Sequence, residues 1–279
     1  CILTAKVMVF CFPIHFNRPD STLNRVARPV LISLVCLTVV SCLTAQVKND
    51  SGPVYHFNGA ASATNNGISL IPTFSLGKPA TIIELNTGGE HLTFEPQFRI
   101  SLEGQPWSFI FWWRYKLINT SKLRIGTGLH PAVVFRETPI IRNGQELKGL
   151  VAQRYLAGEL NLAYYPANNV GFGPYILYSR GLESGVVKNN LFLALNVYLT
   201  NIRLRGQYYM KLFPQIYYLG MDDKSGVYAS ATVFFARQGF PLSVSLIGNR
   251  KIKSTIISKD FVWNISLVYN FGNKFVKKG

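Results

Sequence analysis

From residue 91 onward, apolar side chains recur at every second position, the rhythm of a strand whose two faces meet different surroundings. Leu92, Phe94, Pro96, Phe98, Ile100 and Leu102 alternate with His91, Thr93, Glu95, Gln97, Arg99, Ser101 and Glu103. Trp107, Phe109, Phe111, Trp113, Tyr115 and Leu117 oppose Ser108, Ile110, Trp112, Arg114 and Lys116. The rhythm persists to a last segment that sets Phe261, Trp263, Ile265, Leu267, Tyr269 and Phe271 against Asn264, Ser266 and Asn270. It predicts about twelve strands, over 66–77, 80–87, 91–103, 106–118, 121–135, 153–166, 169–181, 188–200, 201–213, 226–237, 240–249 and 259–271.

Most of these segments run roughly 10–13 residues, about twice the length usual in soluble sheets. A tilted strand needs about 9–11 residues to cross a bilayer. From the fifth strand on, long connections (136–152, 182–187, 214–225, 250–258) alternate with short ones (167–169, 200–201, 238–239). That phase sets long loops at one end and tight turns at the other. Lipid cannot satisfy the backbone groups of an open sheet edge, so the sheet must close on itself. The expected fold is all-β: a closed, antiparallel, up-and-down transmembrane β-barrel of about 12 strands. Trp107, Tyr115, Tyr164, Tyr178, Tyr208, Trp263 and Tyr269 lie on the apolar faces, mostly near strand ends, where headgroup girdles form.

Ahead of the strands, Arg25 and Arg28 precede a short apolar run from Val30 to Leu43, with Ala45-Gln46 behind it. This is the pattern of a cleaved signal peptide. Val39-Val-Ser-Cys42 also fits the acylation box of a lipoprotein, an alternative that the mass of the mature N-terminus decides. The chain therefore divides into 1–45, upstream sequence and signal peptide; 46–65, a polar N-terminal segment; 66–271, the barrel; and 272–279, a basic tail. Cys1, Cys11, Cys36 and Cys42, the full complement, all fall in the first part. Cysteine-based metal or redox chemistry is thereby excluded from the rest.

The leader, the strand architecture and the aromatic-ended segment Val262-Trp-Asn-Ile-Ser-Leu-Val-Tyr-Asn-Phe271 together resemble the outer-membrane β-barrel proteins of Gram-negative bacteria. The resemblance covers about residues 66–271. It implies residence in the bacterial outer membrane, contact with outer-membrane lipid, and handling by the barrel-assembly machinery during biogenesis. The chain departs from that pattern by running on past Phe271 to Lys277-Lys278-Gly279.

Charge then narrows the function. Lys and Arg number 29 against 13 Asp and Glu, a net charge of +16, yet only 15% of the residues are charged. The basic residues are spread between apolar ones rather than gathered on one face, so nucleic acid is not an expected partner. On the polar faces lie Glu95, Arg99, Arg114, Lys116, Lys122, Arg124, Arg154, Glu159, Arg203, Arg205 and Lys211. If those faces line the lumen, a largely basic interior attracts small anionic solutes. The expected function is a small, anion-preferring, porin-like channel.

Two alternatives stand beside the channel. Large inward residues such as Trp112, Tyr155, Tyr165, Phe192, Tyr198 and Tyr209 could fill a lumen this narrow, giving a non-conducting structural or binding barrel. An outer-membrane lipid-modifying enzyme would need a histidine base, and only His56, His91 and His130 follow the leader, none in a recognisable nucleophile motif. No catalytic residue, cofactor or metal site is expected. Asp222-Asp223, in a long loop, supplies too few carboxylates for a cation site, and Gly126, Gly128, Gly171 and Gly173 suit close approach within strands.

Overall fold

The computed structural model describes the chain from residue 54 to residue 276, apart from positions 70, 72, 143 and 144. The expected signal peptide, the alternative acylation box and Lys277-Lys278-Gly279 lie outside the described residues. Twelve strands follow one another: β1 Val54–Thr64, β2 Ala80–Gly88, β3 Leu92–Ser101, β4 Pro106–Asn119, β5 Leu123–Arg142 and β6 Gln145–Ala167, then β7 Val170–Gly181, β8 Asn189–Arg203, β9 Tyr208–Met221, β10 Lys224–Arg237, β11 Leu242–Ser254 and β12 Phe261–Val276. Each pairs antiparallel with its sequence neighbours, and β1 pairs with β12 to close the ring. The strand count and the closed antiparallel barrel are as the pattern predicts.

The alternation divides two environments. Leu129 is 63% exposed and Leu156 53%, whereas Trp112 and Leu219 are wholly buried. An exposed belt of Leu, Ile, Phe and Tyr around a closed sheet is a lipid-facing surface, because no soluble protein leaves so much contiguous apolar area in water.

Several boundaries differ from the expectation. The first strand is Val54–Thr64, inside the stretch read as a polar segment, while 66–77 lies in the β1–β2 connection. The cause is side-chain size. Gly59, Ala60, Ala61, Ser62 and Ala63 carry no bulk with which to mark an apolar face. The stretches 136–152 and 214–225 are largely strand, not long loops: β5 runs to Arg142, which pairs with Gln145 at the start of β6, and β9 runs to Met221 before a two-residue turn at Asp222 and Asp223. In β9 both faces are apolar, since Phe213, Tyr217 and Leu219 point inward opposite Ile216 and Tyr218, and the two-residue rhythm disappears. The β8–β9 turn falls at 204–207 rather than 200–201. A register shift between Leu199 and Ile202, with Asn201 at φ 58°, carries β8 on to Arg203. The last strand continues through Phe275, which pairs with Tyr55, so much of the expected basic tail is strand.

These corrections leave the phase intact. The start of β1 lies beside the end of β12 at one end of the ring. By the convention of outer-membrane barrels that end is periplasmic, which puts the β1–β2, β3–β4, β5–β6, β7–β8, β9–β10 and β11–β12 connections at the outer end.

Candidate functional site

Inside the ring the side chains form two levels. The inner level is an ion-pair network. Arg114 on β4, Gly128 on β5 and Glu159 on β6 occupy one row of the sheet, each paired with the next. The Arg114 guanidinium spans the gap above Gly128, donating Nε–H to Glu159 Oε1 at 2.6 Å and Nη2–H to Oε2 at 3.3 Å. Nη1 donates to Glu95 on β3. A Cβ at Gly128 would stand 2.9 Å from Glu159 Oε1 and 3.1 Å from Arg114 Cγ. Glycine is what leaves room for the salt bridge.

Other side chains complete both carboxylates. Tyr175 donates its hydroxyl to Glu159 Oε2 at 2.5 Å. Glu95 accepts from Asn86 Nδ2 at 2.7 Å and from Thr93 at 2.8 Å, and Asn86 in turn contacts His56. Burying charge costs little only when the pair is matched and its remaining lone pairs are filled, and here both conditions are met.

Above this network Trp112 seals the floor of the outer level. Arg114 lies 4.1 Å from the centroid of its ring, and the His130 ring meets it edge-on at 3.8 Å. Trp112, Leu177, Phe192, Tyr217, Leu219 and Tyr228 form one apolar cluster inside the barrel. Ile71 and Phe74 of the β1–β2 connection pack against it. β1 and β7 are diametrically opposed in the ring, so this connection reaches across the lumen. Ile68 and Thr73 are buried in it, and Thr73 accepts a hydrogen bond from Asn249 Nδ2 on β11 at 3.3 Å. A cavity of about 190 Å³ remains between the connection and strands β3 to β9.

The expected lumen residues separate on this framework. Glu95, Arg99, Arg114 and Glu159 line the interior, and Arg114 is neutralised twice rather than left uncompensated. Lys116, Arg124 and Lys211 also alternate inward. Arg124 lies 4.5 Å from the Tyr165 ring centroid, and Lys211 Nζ lies 5.8 Å from that of Tyr209. Lys122 and Arg205 sit in the periplasmic connections, and Arg203 is the exposed last residue of β8, so these three belong to the rim. Arg154 pairs across the ladder with lipid-facing Val133 and bonds Glu183 at 2.5 Å, so it belongs to the outer wall. Trp107, expected in a lipid girdle, lies where the β3–β4 register shifts and lines the internal cavity instead.

Sequence reasoning missed Glu84, which its alternation with Ile82 and Asn86 places on the inner face, and it missed the inward path of the β1–β2 connection. A run of Ile68, Ile71 and Phe74 between polar residues was the available signal, but it reads equally well as a strand. His130 is buried, and its Nδ1 has no hydrogen-bond partner among the described residues. Nor do those residues contain a group of His, Asp and Glu placed to hold a metal.

No protein-family model matches the chain, and no curated protein matches it in sequence. Solved structures resemble it in fold. LpxR from Salmonella typhimurium is 10% identical, with 77% of this chain and 99% of that one covered, at a TM-score of 0.45. An outer membrane channel from Pseudomonas putida F1 is 9% identical over 82% and 98% of the two chains, at 0.43. OmpT with one loop deleted, an outer membrane protein of Vibrio cholerae, is 8% identical over 80% and 100%, at 0.40. These likenesses are distant, and the fold rests on this chain's own geometry. Twelve strands closed into a ring, with an apolar belt outside and charge within, make it a transmembrane β-barrel.

Proposed function

We propose that the protein is an outer-membrane binding barrel, closed in its outer half, rather than an open anion-preferring pore. The carrying observation is the β1–β2 connection, whose Ile71 and Phe74 pack onto the apolar cluster on the far side of the lumen. An apolar plug of this kind excludes water, and an ion would have to shed its hydration shell to pass. The inner level favours the same reading. Arg114 is held by two carboxylates, and Glu84 adds a third acid to the lining. Lys116, Arg124 and Lys211 form no ion pair among the described residues, and they support anion preference only if the plug withdraws.

Planar-bilayer recording tests the reading. The native protein should insert without stepwise conductance, while Ile71→Ser combined with Phe74→Ser should open measurable steps. Steady steps from the native protein, selective for anions, would replace the binding barrel with the pore.

A further inference from the structure

Arg99 is an arginine in the wrong place for a purely structural role. It is 4% exposed, on the inner face of β3, and lines the cavity of about 190 Å³ beneath the β1–β2 connection. One guanidinium nitrogen, Nη2, donates to Gln97 Oε1 at 3.0 Å. Nε and Nη1 are buried and have no hydrogen-bond partner among the described residues. Glu84 is on the adjacent strand but exposed, and makes no ion pair with it among those residues. Nδ1 of His130, lining the same cavity, is buried and unpartnered too. A guanidinium stays charged even when buried, and an unmatched one is costly. Buried donors left open around a cavity favour an acceptor that enters from outside the chain.

The remaining walls specify the rest of that molecule. Ile71, Phe74, Ile110, Leu177 and Met221 make the cavity mostly apolar. A dry cavity of about 150 Å³ holds benzene, so about 190 Å³ leaves space for a ring plus one small anionic group. We infer that this cavity binds a small monocarboxylate with an apolar body, of the size of benzoate, its carboxylate accepting from Arg99 and its ring against Ile71, Phe74 and Leu177.

The inference rests on the binding-barrel reading, but the two fail separately. Isothermal titration of the full-length protein in detergent should show saturable benzoate binding. Benzyl alcohol should bind at least about tenfold more weakly, since a hydrogen bond to a charged group is stronger than one between neutral groups. Inorganic phosphate, which lacks the ring, should not bind at this site. Arg99→Gln should erase the preference for benzoate over benzyl alcohol while the barrel keeps its heat-modifiable migration on gels. Should that variant not fold, the native benzoate-to-alcohol ratio and Ala132→Phe, which fills the cavity and should abolish both, carry the test. Equal affinity for acid and alcohol, or benzoate binding untouched by Arg99→Gln, overturns the inference. If the native protein is also silent in bilayers, the closed barrel survives that result. Steady native conductance would overturn the closed barrel whatever benzoate does.

Discussion

Arg114 and Glu159 stand two strands apart, and their salt bridge passes over the one residue between them, Gly128, that has no side chain to block it. The register places all three in one row, so the sequence spacing of the strands and the identity of a single glycine determine whether the pair can form. Two carboxylates and a tryptophan then converge on the same guanidinium, and Tyr175 donates to one of those carboxylates.

Replacing Gly128 tests the row directly. In Gly128→Ala the new methyl meets Glu159 Oε1 at 2.9 Å, and the carboxylate can move only by lengthening its bonds to Arg114 and Tyr175. Crowding of this sort costs about 1–3 kcal/mol. Urea-induced unfolding of the refolded barrel should therefore shift to lower denaturant, and Gly128→Val should shift it further. An alanine variant as stable as the native chain would mean that the pair re-forms elsewhere.

The two acids should not be equivalent. The Glu159 side chain is 5% exposed and that of Glu95 is 19% exposed. Glu159→Ala removes the more buried partner and leaves both the Arg114 charge and the Tyr175 hydroxyl short of an acceptor, a loss of about 3–5 kcal/mol. Glu95→Ala leaves Arg114 its bond to Glu159 and should cost about 1–3 kcal/mol. The order of the two unfolding midpoints checks the argument, and a reversed order would refute it.

The sequence carries the barrel clearly and the site only in part. Where one face meets lipid and the other meets polar groups, as in β3, β4 and β12, alternation marks the strand to within a few residues. It falls silent in two physical situations. Small residues, as from Gly59 to Ala63, give no contrast between the faces. Bulky inward residues, as at Phe213, Tyr217 and Leu219, give too little. The charges were legible as a set, yet their pairing was not, because Arg114 meets Glu159 through register across three strands rather than through spacing along the chain. The plug was hidden for a further reason: a loop that turns into a lumen buries apolar residues just as a strand does.

A pH effect is expected at the outer rim. Asp222 accepts the backbone N–H groups of Lys188 and Asn189 at 2.9 and 2.8 Å, and these bonds hold its carboxyl below the usual 3.8. A lowered folded value means that the contribution is complete above the ordinary value and fades as pH falls through the folded one. Protection of those two amides from hydrogen exchange, measured against the intrinsic rate at each pH, should thus be high at neutral pH and fall in acid before the barrel itself unfolds. Asp222 sits at φ 51°, which asparagine also tolerates, so Asp222→Asn keeps the turn and should flatten the response. An unchanged acid profile in that variant would assign the effect to another group.

Leu129 and Leu102 are each 63% exposed, and by exposure alone they are interchangeable. Their surroundings differ. Leu129 lies within β5 on the lipid-facing side, paired with Gly158, whereas Leu102 lies in the β3–β4 connection at the outer end. A cation on the lipid face near the bilayer midplane costs about 2–4 kcal/mol, and near the interface about 0–1 kcal/mol. Leu129→Arg should therefore lower folding stability in lipid vesicles by several-fold more than Leu102→Arg, and should slow assembly as well. In urea without lipid the two variants should behave alike, since the penalty belongs to hydrocarbon and not to water. If both arginines were tolerated equally in vesicles, the belt around Leu129 would not face lipid, and the division of the strands into an oily outside and a charged inside would fail with it.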